Sequence, residues 1–106
     1  MLLFKKRFLP AIRAGTKTQT LRLWPYRRMR SGQRSYIPGA GYIQVELVEE
    51  IQFEQLTDDD ARRDGFETLA ALRAELETIY NEHSREYKLF RVRFRLIEPR
   101  RNAARD

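Results

Sequence analysis

Seven consecutive residues, Phe90-Arg91-Val92-Arg93-Phe94-Arg95-Leu96, alternate apolar and cationic side chains without a break. Successive side chains of a strand point to opposite faces, so this period of two reads as a β-strand with one dry and one polar face. A helix would spread the three arginines around its circumference. The stretch, extended from Tyr87 to Ile97, demands both a sheet partner and a core on the Phe90, Val92, Phe94, Leu96 side. Arg91, Arg93 and Arg95 are expected on a face that is wet or turned toward a polyanion.

The other segments supply the partners. Leu2-Leu3-Phe4 reads as a short strand. Phe8 to Ala14 reads as a two-turn helix with Pro10 early, where its missing N–H is not needed, and Gly15 as a left-handed stop. Thr18 to Leu23 is a strand by its β-branched threonines and alternation. Leu23 to Arg34 is a loop broken at Pro25 and Ser31-Gly32. Ser35-Tyr36-Ile37 is a strand, and Pro38-Gly39-Ala40-Gly41 a turn. Tyr42 to Gln55 is long and β-like, and the change of phase after Val48 predicts a bulge near Glu49. Thr57 followed by Asp58-Asp59-Asp60 is a capped helix start, and the helix ends near Asp64-Gly65. Thr68 to Tyr80 is the best helix, with Leu69, Leu72, Leu76 and Ile79 on one side. The order β-α-β-β-β-α-α-β lacks regular βαβ alternation. It predicts an α+β fold: a small mixed, mostly antiparallel sheet curled into a barrel with flanking short helices.

A chain of 106 residues makes one domain, placed at 1–98, with a short basic tail over 99–106 expected to be flexible. No cysteine is present, so disulfides and thiolate metal sites are excluded. The lone His83 cannot hold a zinc ion and is expected at the surface. The acidic run at 58–60 lacks the D-x-D-x-D-G…E order of a calcium loop, so no metal or cofactor is expected. No apolar run approaches the roughly 18 residues of a membrane span. A cytoplasmic protein is expected, with its oligomeric state open and a monomer the default.

Charge is strongly segregated. The first 45 residues hold ten Lys/Arg and no Asp or Glu, whereas residues 46–86 hold thirteen acids and four bases. Such asymmetry predicts a basic surface facing a polyanion and an acidic surface facing away. Within the acid-free part, Gly15-Thr16-Lys17-Thr18-Gln19-Thr20-Leu21-Arg22 gathers a turn glycine, a lysine, three hydroxyls and an arginine. It reads as one wall of a pocket for RNA or a nucleoside, with Gly15, Thr18 and Arg22 as contacts. Strand alternation places Thr18, Thr20 and Arg22 on one face and Lys17 on the other, unless the turn after Gly15 swings Lys17 back. Trp24, Tyr26, Arg27, Arg28 and Arg30 follow, an aromatic and arginine-rich loop suited to stacking on bases and pairing with phosphates. Trp24 fits a core position equally well.

Gly15-x-Lys17-x-x-Thr20-x-Arg22 resembles the signature G-x-K-x-x-E-x-R of the ASCH domain, a PUA-like β-barrel. Thr20 stands where that pattern has glutamate, the replacement found in small bacterial ASCH proteins that act as N4-acetylcytidine amidohydrolases. The resemblance extends along the chain: the N-terminal strand, the helix before the motif, Ser31-Gly32 before a strand, Leu56-Thr57 opening the acidic helix, and the terminal strand. It implies a cleft for RNA or a modified nucleoside or nucleotide. In the amidohydrolase subgroup it implies a catalytic lysine, threonine and glutamate. Lys17 and Thr20 match the first two, and by order along the chain Asp64 falls at the glutamate, one methylene shorter. Some ASCH proteins are nucleases, so a ribonuclease is a further alternative.

Three bland readings stand beside these. Lys17 caps helix carbonyls near Gly15, Thr20 is an ordinary strand residue, and Asp64 pairs with Arg62, Arg63 or Arg22 to close its helix. If residues 17, 20 and 64 meet instead, Thr20 supplies a hydroxyl, Lys17 a base and Asp64 a proton for a departing amine.

Overall fold

The alternating stretch becomes β4 (Lys88–Pro99), an inner strand of a four-stranded antiparallel sheet. Its neighbours are β1 (Gln19–Trp24) on one side and β3 (Gly41–Ile51) on the other, and β2 (Arg34–Ile37) completes the order β1-β4-β3-β2. The computed structural model describes residues 1–81 and 86–99. His83 and the basic residues from 100 onward lie outside them, while Pro99, expected in the tail, still belongs to β4. Thr20 sits opposite Val92 and Val45 opposite Phe94, so three strands share the dry face that the alternation demands. β1 and β2 remain edges, making a curled half-barrel rather than a closed ring among the described residues.

The bulge in β3 falls at Glu46, not near Glu49: Val45 faces Phe94 and Leu47 faces Arg93, leaving Glu46 as the extra residue. The inserted residue shifts the pleat by one and turns Val48 to the same core as Ile43 and Val45. The phase change seen in the sequence is therefore real but begins three residues earlier. Leu2-Leu3-Phe4 forms no strand. Leu2 is buried and its N–H donates to Tyr36 O at 2.9 Å, a single tie beside β2. A single tie makes no ladder.

Helix α1 (Leu9–Ala14) carries Pro10 in its first turn and stops at Gly15, whose φ of 81° lies in the left-handed region. Helix α2 (Asp58–Arg63) is opened by a reciprocal cap: Thr57 Oγ1 accepts from Asp60 N at 3.2 Å, and Asp60 Oδ2 accepts from Thr57 N at 3.0 Å. Helix α3 (Leu69–Asn81) buries Leu72 and Leu76. None of these helices is long and apolar enough to cross a membrane.

Both faces of the sheet are covered. Phe90, Val92 and Phe94 pack with Ile12, Trp24, Ile43 and Val45 on one side. Leu89, Leu21 and Ile51 pack with Ala61, Leu72 and Leu76 on the other. That second layer changes the expected role of the β4 arginines. Arg91 binds Glu49 at 2.6 Å and Asp60 at 2.9 Å. Arg93 donates to Gln19 Oε1 at 2.9 Å and lies 3.6 Å from Asp60, while Arg95 lies 3.4 Å from Glu46. The arginine face turns toward the protein's own carboxylates, because α2 and β3 bring acids over it. Part of the segregated charge in the sequence is thus neutralised within the fold.

Candidate functional site

The chain reverses at Gly15, and the N–H groups of Thr16 and Lys17 both donate to Ala11 O, at 2.9 and 3.1 Å. Lys17 is therefore wrapped over the end of α1, and β1 begins two residues later. Strand alternation does not reach residue 17, which frees its side chain to join the Thr20 and Arg22 side. Thr18 N donates to Arg63 O at 2.8 Å, tying the start of β1 to the end of α2. That bond brings Asp64 against Lys17, 47 positions apart in the chain.

Lys17 is 2% exposed. Its Nζ donates to Gln19 O at 3.0 Å, to Asp64 O at 2.6 Å and to Asp64 Oδ1. Three acceptors match the three protons of an ammonium, so the resting geometry is that of an ion pair. The Phe8 and Phe4 rings lie 4.8 and 5.6 Å from Nζ and add cation–π attraction. Asp64 Oδ2 is buried and has no partner among the described residues. Burial pushes the Lys17 amine below its ordinary value, with Asp64 opposing and Arg22 reinforcing the shift. Burial also pushes the Asp64 carboxyl up, against the pull of Lys17 and Arg22. Desolvation thus drives both members toward their neutral forms.

Beside the pair, Thr20 Oγ1 accepts from Arg22 Nε at 3.0 Å, and Arg22 Nη2 donates to Leu3 O at 2.7 Å. Lys17, Thr20, Arg22 and Asp64 all line one cavity of about 330 Å³. Phe4, Phe8, Phe66, Leu72, Leu76 and Ile79 supply its apolar walls, and Glu75, held by Lys5 and Arg7, also lines it. A few convergent polar groups in an apolar cavity of this size suit a small organic ligand. Two of the bland readings are replaced in part: the Lys17 side chain caps the α2 end rather than the α1 end, and Asp64 takes Lys17 as its hydrogen-bonded partner rather than an arginine, while Thr20 is a regular residue of β1.

The remaining candidates lie elsewhere. Gly15 and Thr18 line a separate shallow groove with Asp59, Arg62 and Arg63. Trp24 is buried, with its ring 5.5 Å from Phe90, so its faces serve the core. Arg27 donates to Val48 O, which ties the loop to β3. Tyr26 is exposed with the Arg28 guanidinium 5.4 Å from its ring, and Arg30 is exposed. None of these five lines the main cavity. Sequence reasoning missed Phe4, Phe8 and Phe66 as cavity walls. The only signal was two aromatics, Phe4 and Phe8, flanking the basic run Lys5-Lys6-Arg7, and a third directly after the Gly65 stop. It also missed the fully buried Asp60, which spacing alone does not separate from Asp58 and Asp59.

No family model matches the sequence, and no curated protein matches it. Solved structures do match by shape. An ASCH domain from Lactobacillus crispatus JV V101 superposes with a TM-score of 0.71 at 15% identity, over 85% of this chain and 70% of that one. A DUF984 protein from Enterococcus faecalis V583 gives 0.66 at 16% identity, over 91% and 73% of the two chains. A hypothetical protein gives 0.66 at 17% identity, over 90% and 95%. Together with the half-barrel and its flanking helices, these likenesses show that the chain has the α+β fold seen in that ASCH domain.

Proposed function

We propose that the cavity binds the base of a modified nucleoside and that Lys17, Thr20 and Asp64 hydrolyse an acyl group from its exocyclic nitrogen, with N4-acetylcytidine as the model substrate. The observation carrying this reading is the direct contact of Lys17 with Asp64 in the wall of the cavity that also exposes Thr20. The motif's likeness to the amidohydrolase-type ASCH proteins supports the same chemistry. Asp64, shorter than glutamate, still meets the lysine, because Gly65 and the α2 end place its backbone carbonyl on Nζ as well.

The chemistry starts from the shared proton. Transfer from Nζ to Asp64 Oδ1 leaves a free amine and a carboxylic acid, the direction that burial favours. Arg22 Nε–H occupies a lone pair of Thr20 Oγ1, which leaves the hydroxyl proton free to point at a base. The amine takes that proton as Oγ1 bonds to the acyl carbon. Asp64 then protonates the exocyclic nitrogen, the C–N bond breaks, and the nucleobase amine leaves with the acyl group held as an ester on Thr20. Lys17 passes its proton to Asp64 once more, and water then attacks the ester as the freed Lys17 amine takes a proton from it. Asp64 returns a proton to Oγ1, and the carboxylic acid departs. Both steps restore the starting pair.

Incubation with N4-acetylcytidine is expected to release cytidine and acetate in equal amounts. Thr20→Ser keeps measurable turnover, and Thr20→Ala loses about a thousandfold or more. The active pair carries one proton between two groups, so the rate follows a bell against pH. The raised Asp64 carboxyl moves the acid limb above the ordinary carboxylate range. The lowered Lys17 amine moves the alkaline limb below the ordinary lysine range. Limbs at the ordinary positions, or equal turnover by Thr20→Ala, contradict the mechanism.

One observation favours a second reading. Arg28 and Arg30 form no ion pair among the described residues, unlike the β4 arginines, and suit an RNA backbone. Binding of that kind weakens steeply with salt. RNA affinity indifferent to salt removes it.

A further inference from the structure

A second cavity, of about 250 Å³, adjoins the first and shares Leu3 and Arg22 with it. Its buried side is apolar, formed by Leu2, Trp24 and Met29, and its polar side is formed by Arg22, Arg28 and Gln33. Among the described residues no Asp or Glu lines it. Among the described residues neither Arg22 nor Arg28 has a carboxylate within ion-pair distance, although the other guanidiniums near the sheet core, Arg91 and Arg93, do.

Arg22 is partly buried in that wall, and its hydrogen bonds go to a hydroxyl and a backbone carbonyl. These use one proton on Nε and one on Nη2 and leave Nη1 without a hydrogen-bond partner among the described residues; Asp64 attracts the guanidinium from a distance, but its carboxylate is bonded to Lys17. A desolvated cation that touches no carboxylate is costly, and an incoming anion relieves that cost. Gln33 Oε1 accepts from Arg30 N at 3.1 Å, which leaves the Gln33 amide N–H groups as donors. The set therefore offers two guanidiniums and an amide, the donor chemistry of phosphate recognition. Leu3, 64% exposed, stands at the boundary between the two cavities.

We infer that the second cavity is a phosphate subsite, so that the ligand whose base enters the first cavity is a nucleotide rather than a free nucleoside. This rests on the reading of the first cavity as a nucleobase site. In it, the sugar crosses Leu3, Arg22 bridges the two ends of the ligand, and Arg28 closes on the phosphate from the exposed loop.

The test is calorimetric binding of cytidine and cytidine 5′-monophosphate, two ligands that need no turnover. The expected result for the wild type is an affinity about tenfold or more higher for the monophosphate at low salt, reflecting charge-assisted bonds from two arginines. Arg28→Glu should bring the ratio of the two affinities close to one. Arg95→Ala, which removes a cation that faces Glu46 instead, should leave the ratio as in the wild type. A cytidine phosphodiester as third ligand separates sources: tighter binding than the monophosphate assigns the phosphate to an RNA strand, weaker binding to a free nucleotide, and both support the subsite. Equal affinities for cytidine and its monophosphate, no binding of either, or an equal loss of ratio in both variants overturns it. Absence of hydrolysis of N4-acetylcytidine with the phosphate preference intact would instead remove the enzymatic reading and leave the subsite standing.

Discussion

Lys17→Met is expected to abolish hydrolysis of N4-acetylcytidine and to destabilise the fold by about 3–5 kcal/mol, the cost of leaving a buried carboxylate without its cation. Methionine keeps most of the aliphatic stem against Phe4 and Phe8, so the loss reads the charge rather than a hole. Asp64 is then a buried carboxyl with its main attraction removed, and its pKa rises further. A carboxyl raised in the folded state binds more protons folded than unfolded, so stability falls as pH rises through that window. The gap between variant and wild type should therefore shrink toward acid pH, measured by urea denaturation over a pH series. Lys17→Met combined with Asp64→Asn should recover much of the stability and none of the turnover. A double variant as unstable as the single one would show that Lys17 stabilises by packing alone.

Asp60→Ala is expected to be comparably costly, again about 3–5 kcal/mol, because it orphans a charge network rather than a single bond. Asp60 is fully buried and accepts from Arg91 Nη2 at 2.9 Å, Gln19 Nε2 at 3.1 Å and Thr57 N at 3.0 Å. Burial alone would raise this carboxyl. The hydrogen bonds from Arg91, Thr57 and Gln19 outweigh burial and hold it below the ordinary value. Its contribution is thus present above the unfolded carboxylate pKa and is lost as pH falls through the folded one. The variant should lose the acid limb of its stability profile together with its stability near neutrality. Turnover should fall too, since Asp64 directly follows α2 and Asp60 pins α2 to the sheet. A change under 1 kcal/mol by urea midpoint would contradict this account of how α2 is held.

These two carboxylates show where sequence reading succeeds and stops. The alternation at 90–96, the Thr57 cap and the Gly15 stop are local patterns, and each element formed as its residues demand. What covers a strand is not local. The β4 arginines read as a polyanion-facing row because nothing in their own segment reveals that Asp60 and Glu49 lie against Arg91. Asp60 itself is one of three adjacent aspartates, and only the contact with Gln19 and Arg91 separates it from the other two. Lys17 lay off the strand because a helix end, not the pleat, sets its direction, and the break in alternation after Gly15 was legible only as an ambiguity. Trp24 was equally compatible with a ring stacked on a base and a ring in the core, and its partner Phe90 sits 66 positions away. The bulge was visible as a phase error but its position depended on register with β4.

On the proposed reading the ligand enters the cavity beside Lys17, Thr20 and Asp64, not the basic surface. Amide chemical-shift mapping during titration with cytidine tests this most directly. The largest changes are expected at Thr20, Asp64 and Phe66 and along α3 at Leu72 and Leu76. Changes confined to the loop at Tyr26 to Arg30 and to the exposed Arg95 on β4, with the cavity residues unmoved, would contradict it.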